Sequence, residues 1–483
     1  MILASLFFLA VVSSGNNQLI DQSHHDATIG AGMANIDQTQ RESELQSQEV
    51  VPSPYRPLGP IPNLLEEEKQ AAHFDSDGRN FLDQHGVDFF LSYTSDIAGN
   101  PVGGVNPNGF TYADFFYLGG VFKTQELFGW PPGGSVTMSV AQVDGSSLSQ
   151  KNIGNQFAAQ EIYVGQTFYW HQIFYEQRFW DNHANIKIGR ISTGNDFATS
   201  PLYWFYMNGG IDGSPQALLI NQGISFYATA TWGAVLKAHL SSSTVARVGV
   251  YQVTPGSIHG LTWNMYPSDG VLLMGQFSWN PEFPLSGSRS GQQQSDDDDE
   301  QESLRSPSKN PVAPLSTKNF QGHYWMGGYY STSTYNESLN MPQQPNSYGL
   351  YWHADQTVYR PDPTNDTGLV LWTVFTLSPQ QDISFMPFQV NGGAVYTGLI
   401  PGRKTDATLL GIAYGNFSPN FAAQQSEEGG GFPTYELVYE AGYRICLTPT
   451  AYIQPDIQWI VNPGGTGTIP NALVIGAQMG LSF

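Results

Sequence analysis

Cysteine is almost absent: Cys446 stands alone among 483 residues. An internal disulfide and a cysteine metal cluster are thereby excluded. Long apolar runs are missing as well. Nowhere do 18 apolar residues follow one another, so no helical membrane span is expected. Charge is scarce, at 12% Asp, Glu, Lys and Arg, about half the usual share. Basic residues are scarcest: 19 Lys and Arg against 41 Asp and Glu, a net charge of -22. That balance argues against nucleic acid as a partner. Ser-His-Asp, His-Glu-x-x-His and phosphate-loop patterns do not occur, so neither an enzyme nor a metal or other cofactor is expected.

What the chain does have is aromatic residues, at 13%, and 52 glycines. This mix suits many strands with tight turns and amphipathic rings. The first residues, Met1–Val12, form a short apolar run ending in Ser13-Ser14-Gly15. The run fits a secretory signal over residues 1–15, although it lacks a basic start. Residues 16–75 are polar and Pro-punctuated and read as a flexible leader, in which His24 and His25 are solvated. Gly78–Gly86 predicts one short helix ended by Gly86.

From Val87 the period becomes two. Val87, Phe89, Leu91 and Tyr93 alternate with Asp88, Phe90, Ser92 and Thr94, the pattern of a half-buried strand. The same pattern recurs with starts near Tyr112, Ser135, Phe168, Asn185, Thr231, Val245, Val271, His323, Tyr348, Gly368, Ile383, Ala407, Tyr435, Ala451 and Ala472. The total is about sixteen, an even number as bacterial outer-membrane barrels require. Connections alternate accordingly. The first, third and fifth read as long outside loops, Ala98–Thr111, Ser146–Gln166 and Ser192–Ala230. Asp181-Asn182-His183 and Ser241-Ser242-Ser243 read as short periplasmic turns. Residues 281–322, with Asp296–Glu300 at their centre, are an acidic insert where a short periplasmic turn is due; they read as a solvated excursion.

The last strands alternate most cleanly. Leu473, Ile475, Ala477, Met479, Leu481 and Phe483 share one face, opposite Val474, Gly476, Gln478, Gly480 and Ser482. In the segment from Tyr435, the residues Glu436, Glu440 and Arg444 share a face. A charge on the lipid side costs roughly 2–4 kcal/mol at mid-membrane for Arg or Lys, so these three are expected to face the bore. A turn at Thr448-Pro449-Thr450 sets Asp456 across from Gly442 and diagonal to Arg444. The expected fold is therefore all-β: a transmembrane antiparallel barrel over residues 76–483 with long extracellular loops, the one after Ile191 folded into the lumen. A closed sheet is what hydrocarbon demands, because every backbone N–H and C=O there must be paired.

At this point the chain resembles the carbohydrate-selective porins of the OprB type. The resemblance lies in Tyr175-Glu176-Gln177, in Ile186-Lys187-Ile188-Gly189-Arg190, and in Asp196-Phe197-Ala198-Thr199-Ser200-Pro201-Leu202-Tyr203. It continues in Thr231-Trp232-Gly233-Ala234, in Leu127–Ser135, in Ile153-Gly154-Asn155-Gln156-Phe157 and in the terminal Gly480-Leu481-Ser482-Phe483. It covers nearly everything after residue 75. It implies an outer-membrane pore of a Gram-negative bacterium that passes sugars and small solutes by diffusion. It also implies that Phe483 addresses the barrel-assembly machinery. Self-association of such barrels is compatible with the sequence.

A sugar pore needs a constriction that replaces part of the solute's hydration without holding it. The candidates are Glu176, Arg178, Lys187 and Arg190 from the hairpin 168–191, with Asp196 and Trp204 from the loop that follows. A two-residue turn at Asn182-His183 sets Glu176 and Arg178 beside Gly189 and Lys187 and leaves Arg190 on the opposite row. Lys237, Arg247, Glu440, Arg444 and Asp456 are further lumen candidates. Two other readings compete. A secreted or surface carbohydrate-binding β-protein shares the aromatics and strands. A glycoside hydrolase needs carboxylates roughly 5–9.5 Å apart, whereas Glu436 and Glu440 lie about 13 Å apart along a strand.

Overall fold

The computed structural model describes residues 81–82, 84–222, 224–226, 229–253, 260–265, 267–283, 320–335, 344–362, 365–427 and 429–482. The expected signal, leader, residues 78–80 of the short helix, most of the acidic insert and Phe483 lie outside them. Phe81, Leu82 and Gln84 are helical, and Gly86 has the left-handed φ of 80° that the expected stop calls for.

In chain order the strands are β1 (Val87–Val102), β2 (Gly109–Lys123), β3 (Gly134–Gly145), β4 (Thr167–Phe179), β5 (Ala184–Ile191), β6 (Thr231–His239), β7 (Thr244–Gln252), β8 (Val271–Trp279), β9 (Glu282–Phe283), β10 (Phe320–Tyr335), β11 (Gln344–Tyr359), β12 (Gly368–Leu377), β13 (Phe388–Thr397), β14 (Ala407–Asn416), β15 (Tyr435–Thr448), β16 (Ala451–Val461) and β17 (Ala472–Ser482). Three short helices, α1 (Thr124–Phe128), α2 (Gln216–Gln222) and α3 (Pro419–Glu427), sit in connections. Every paired neighbour is antiparallel, and β1 closes on β17 from Ser92↔Ser482 to Val102↔Leu473. β9 is a two-residue extension against the start of β10. Among the described residues the tube therefore has sixteen long strands and no free edge, which the hydrocarbon core requires. No described helix is long and apolar enough to cross a membrane.

The two faces sort as the alternation predicts. Ile475, Met479, Tyr439, Ile457 and Leu410 are exposed on the outside, whereas Val474, Gln478, Glu440, Gln458 and Leu409 are buried inside. Tyr112, Phe110 and Tyr348 stand outward near one rim, and Trp279, Phe179 and Trp180 near the other, as interfacial rings do. Gly442 pairs with Asp456, the expected register.

Three expectations shift. The first connection is not a long loop: β1 and β2 stay paired to Asn100↔Gly109, leaving only residues 103–108 between the strands. Left-handed Gly103, Gly104 and Asn108 tighten it, and the Asn100 amide donates to the carbonyls of Gly103 and Asn106. The strand expected at Ile383 starts at Phe388. Phe385 instead packs edge-on against Phe417 and at a tilt against Phe421, and Pro387 has no N–H to give a ladder. The β4–β5 turn takes four residues, with Trp180, Asp181 and Asn182 all at positive φ. The register moves by two, so Glu176 pairs with Lys187 and Arg178 with Asn185. The shift is even, so no side chain changes face.

Candidate functional site

Residues 192–230 run from β5 into the bore and fasten to the far wall. Phe197, Tyr203, Phe205, Tyr206 and Met207 are buried there with wall residues Trp325, Tyr351, Trp372, Leu409 and Val438. The wall makes room where it has no side chains. A Cβ on Gly393 would lie 2.4 Å from the Tyr206 hydroxyl, and one on Gly411 would lie 2.6 Å from its ring. Tyr206 occupies that slot, donating to the Leu410 carbonyl at 2.9 Å and accepting from Trp372 Nε1 at 3.1 Å.

The backbone of an inserted loop brings polar groups with no ladder partner, and buried ones must be bonded. Side chains from the wall supply the bonds. The Glu440 carboxylate accepts from the N–H of Met207 at 2.6 Å and of Asn208 at 3.2 Å. Gln454 donates to the Phe205 carbonyl, and Gln389 and Asn391 donate to that of Gly210. Tyr203 reaches His353 Nδ1 at 2.6 Å. His353 and His323 both bond Asp355, at 2.9 and 2.7 Å.

Residues 146–166 form a second inward segment. Glu436 accepts from the N–H groups of Gln156, Phe157 and Gly464. Gln458 donates to the Ala159 carbonyl while accepting from Asn208, so it joins both segments to the wall. Where the two segments touch, the Glu161 N–H donates to the Met207 carbonyl at 3.0 Å. Glu161 also points an Oε1 toward Gly213. Burial pushes the Glu161 carboxyl up to about 8, with the Asp96 charge adding to it. Burial, then Glu161 and Asp96, raise Asp212 as well.

The sequence-predicted residues divide into two groups. Glu176, Arg178, Lys187, Lys237 and Arg247 stand on the inner face of β4–β7. Lys187 Nζ meets Asp196 Oδ1 at 2.8 Å, tying the start of the inserted loop to its own strand. Arg178 Nε lies 3.4 Å from Glu176 Oε1, which also accepts from Asn185 at 2.7 Å. Arg247 donates to Ser278 at 3.1 Å. The second group sits under the inserted loop. Arg444 donates to Gln454, Gln478 and the Trp204 carbonyl and lies over the rings of Phe205 and Tyr452. Asp456 accepts from Gln458 at 3.1 Å. Trp204 packs its ring edge near Gly213.

Arg190 does not join either group. It pairs with Ile173 and Trp232, on the row opposite Lys187, and its guanidinium donates to the Thr262 carbonyl beside Trp263. Glu440 and Arg444 do face inward, but the inserted loop covers both, with only 2% of each exposed. The sequence reading missed the carboxylates' task of holding loop backbone, and missed the Tyr203–His353–Asp355–His323 chain. Two of the segments that carried the resemblance, Ile153–Phe157 and Asp196–Tyr203, belong to the two inserted stretches. That overlap was the available signal.

A closed sixteen-strand tube with apolar residues outside, polar residues inside and a loop narrowing its bore is a diffusion porin. The family profile "Carbohydrate-selective porin, OprB family" matches residues 107–483, and the chain belongs to that family. It is similar to Porin B of Pseudomonas aeruginosa, 23% identical over 441 residues that span 84% of this chain and 89% of that protein. It is likewise similar to the putative porin QuiX of Acinetobacter baylyi, 23% identical over 426 residues, 84% of this chain and 91% of that one. The high-pH structure of Pseudomonas putida OprB shares the fold at a TM-score of 0.72, with 22% identity over 84% of this chain and 96% of that one. The protein is an outer-membrane porin through which carbohydrates and small solutes diffuse, and its family is one of channels.

Proposed function

We propose that sugars are sorted at the inner face of β4–β7, where Glu176, Arg178, Asn185, Lys187 and Asp196 form one hydrogen-bonding edge. The observation that carries this reading is the Lys187–Asp196 pair: it joins the barrel wall to the inserted loop, and the part-exposed Lys187 ammonium keeps further N–H groups for hydroxyls beside the Glu176 carboxylate across the strand pair. Ammonium and carboxylate side by side offer a sugar both donors and acceptors with little net field. The Phe174 ring, 5.7 Å from Lys187 Nζ, offers an apolar face for C–H groups. Contacts of this kind, summing to about -4 kcal/mol, hold a sugar at millimolar strength and let it go. Liposome swelling checks it. Lys187→Ala is expected to lower glucose flux severalfold relative to chloride conductance. Equal changes in both would mean that this edge does not recognise sugars.

The remaining assignments belong to the same reading. Residues 1–15 act as export signal and 16–75 as a periplasmic leader. Residues 284–319, between the paired ends Glu282–Phe283 and Phe320–Gln321, are a periplasmic insert, and Phe483 is the handle for the assembly machinery. Lipid surrounds the outer face. Heat-modifiable migration on gels of two variants tests the insert and the terminus. Deleting 285–318 should leave the folded species intact, whereas removing Phe483 should slow its appearance in cells. The reverse pattern would overturn both assignments.

A further inference from the structure

Four cations share the inner face of neighbouring strands. Arg178, Asn185, Lys237, Arg247 and Gln276 lie side by side in one row across β4–β8, and Lys187 stands two residues above Asn185. Strands are ~4.8 Å apart, so this is a continuous ladder. Lys237 and Arg247 are directly opposed. Like charges in that relation destabilise a sheet. No ion pair offsets the cost: among the described residues neither is in one, and Arg247 is seen only donating to the Ser278 hydroxyl. The acids on this wall, Glu176 and Asp196, are taken by Arg178 with Asn185 and by Lys187.

The inward acids elsewhere do not offset the ladder. Glu436 and Glu440 are buried on loop backbone, Asp355 is held between two histidines, and Asp96 and Asp456 are covered. Glu161 and Asp212 lie at the contact of the two inserted segments, where burial favours their neutral forms. On the inner rows of β2 and β1, Lys123 and Asp88 pair with each other at 3.1 Å, so the wetted charge of the described bore is five cations against three anions. The chain's overall charge of -22 is spread over the molecule, and screening confines each charge to about 8 Å at physiological salt.

We propose that this bore favours sugars that carry one carboxylate, that is, sugar acids, over neutral sugars of the same size. A neutral sugar gains no more from two opposed cations than from the uncharged donors of Asn or Gln, which avoid the repulsion. A carboxylate relieves it, and guanidinium groups such as those of Arg178 and Arg247 match its geometry with paired N–H bonds. One charge suits the task better than two, because a pore that binds too strongly stops conducting. This proposal rests on the reading of the protein as a sugar porin.

The test uses the full-length porin in planar bilayers and liposomes, with glucose, gluconate and glucose 6-phosphate as probes. A salt gradient should give a reversal potential of the anion-selective sign, and gluconate flux should exceed glucose flux by about tenfold. In Lys237→Gln/Arg247→Gln that ratio should fall toward one, whereas Lys237→Arg should preserve it. Heat-modifiable migration shows that each variant is folded. A cation-selective wild type, equal wild-type fluxes, or a ratio that survives the double substitution would overturn the proposal. Glucose 6-phosphate outrunning gluconate would overturn the single-charge assignment. Failure of every sugar to pass would instead overturn the sugar-porin reading itself.

Discussion

Glu440→Ala is expected to raise the mean single-channel conductance several-fold, with frequent transitions between levels. Glu440 lies on β15, across the bore from where residues 192–230 enter. Its carboxylate accepts from two consecutive backbone N–H groups, those of Met207 and Asn208. Both donors are buried, and the alanine variant offers them nothing. Each of these hydrogen bonds contributes about 1 kcal/mol net, and a stranded buried donor costs about 1–3 kcal/mol. Every 1.4 kcal/mol is about tenfold in population, so a rare released state of the loop becomes a common one. Other ties remain, among them Tyr206 in its glycine slot and Gln389 on Gly210, so the loop is loosened rather than lost. Glu436→Ala makes the comparison, because it frees residues 156–157 while leaving the Met207 contact intact. Conductance that is unchanged in Glu440→Ala would show that the loop is held without this carboxylate.

Raising the pH from 6 to 9 is expected to open the pore in the same way. While the loops are docked, Glu161 keeps its proton to about pH 8, because burial first and the Asp96 charge second oppose ionisation. In released loops it ionises near its ordinary value of 4.5. The docked state therefore binds an extra proton between these pH values, and docking weakens as pH rises through the window. Asp212, raised for the same reasons, acts in the same direction. Asp96 faces the pair from β1, and Arg444 from β15 supplies the attractive charge felt by Asp212. The limit is tenfold in the docking equilibrium per pH unit for one group. Current recordings in buffered salt between pH 6 and 9 measure it. Glu161→Gln should flatten the response, and a response unaltered by that substitution would remove Glu161 from the mechanism.

Much of this molecule is readable from residue order. A period of two, repeated from Val87 to Ser482, set the strand number and placed fifteen of sixteen long strands within about four residues of their starts. It failed at Ile383, where an apolar stretch with the right alternation packs as a loop around Phe385. It also misplaced the first outside loop, since Gly103, Gly104 and Asn108 form a tighter turn than the polar run suggested. The Asp456–Gly442 register came out as read because a short turn leaves few alternatives. The β4–β5 register slipped by two because Trp180, unexpected at positive φ, lengthened the turn.

The site was legible only in part. Alternation assigns a side chain to the inside or the outside, and it put Glu176, Lys187, Lys237, Arg247, Glu440, Arg444 and Asp456 inside and Arg190 on the other row. It carries no information on which inward residues meet water and which meet protein. That division belongs to tertiary structure: residues 146–166 and 192–230 cover one wall, turning Glu436, Glu440 and Arg444 into fastenings, and leave the cation ladder on β4–β7 wetted. The physical reason is range. A two-residue period is set by neighbours along one strand, whereas Met207 finds Glu440, 233 positions further on, only after the chain between them has been brought around a closed tube.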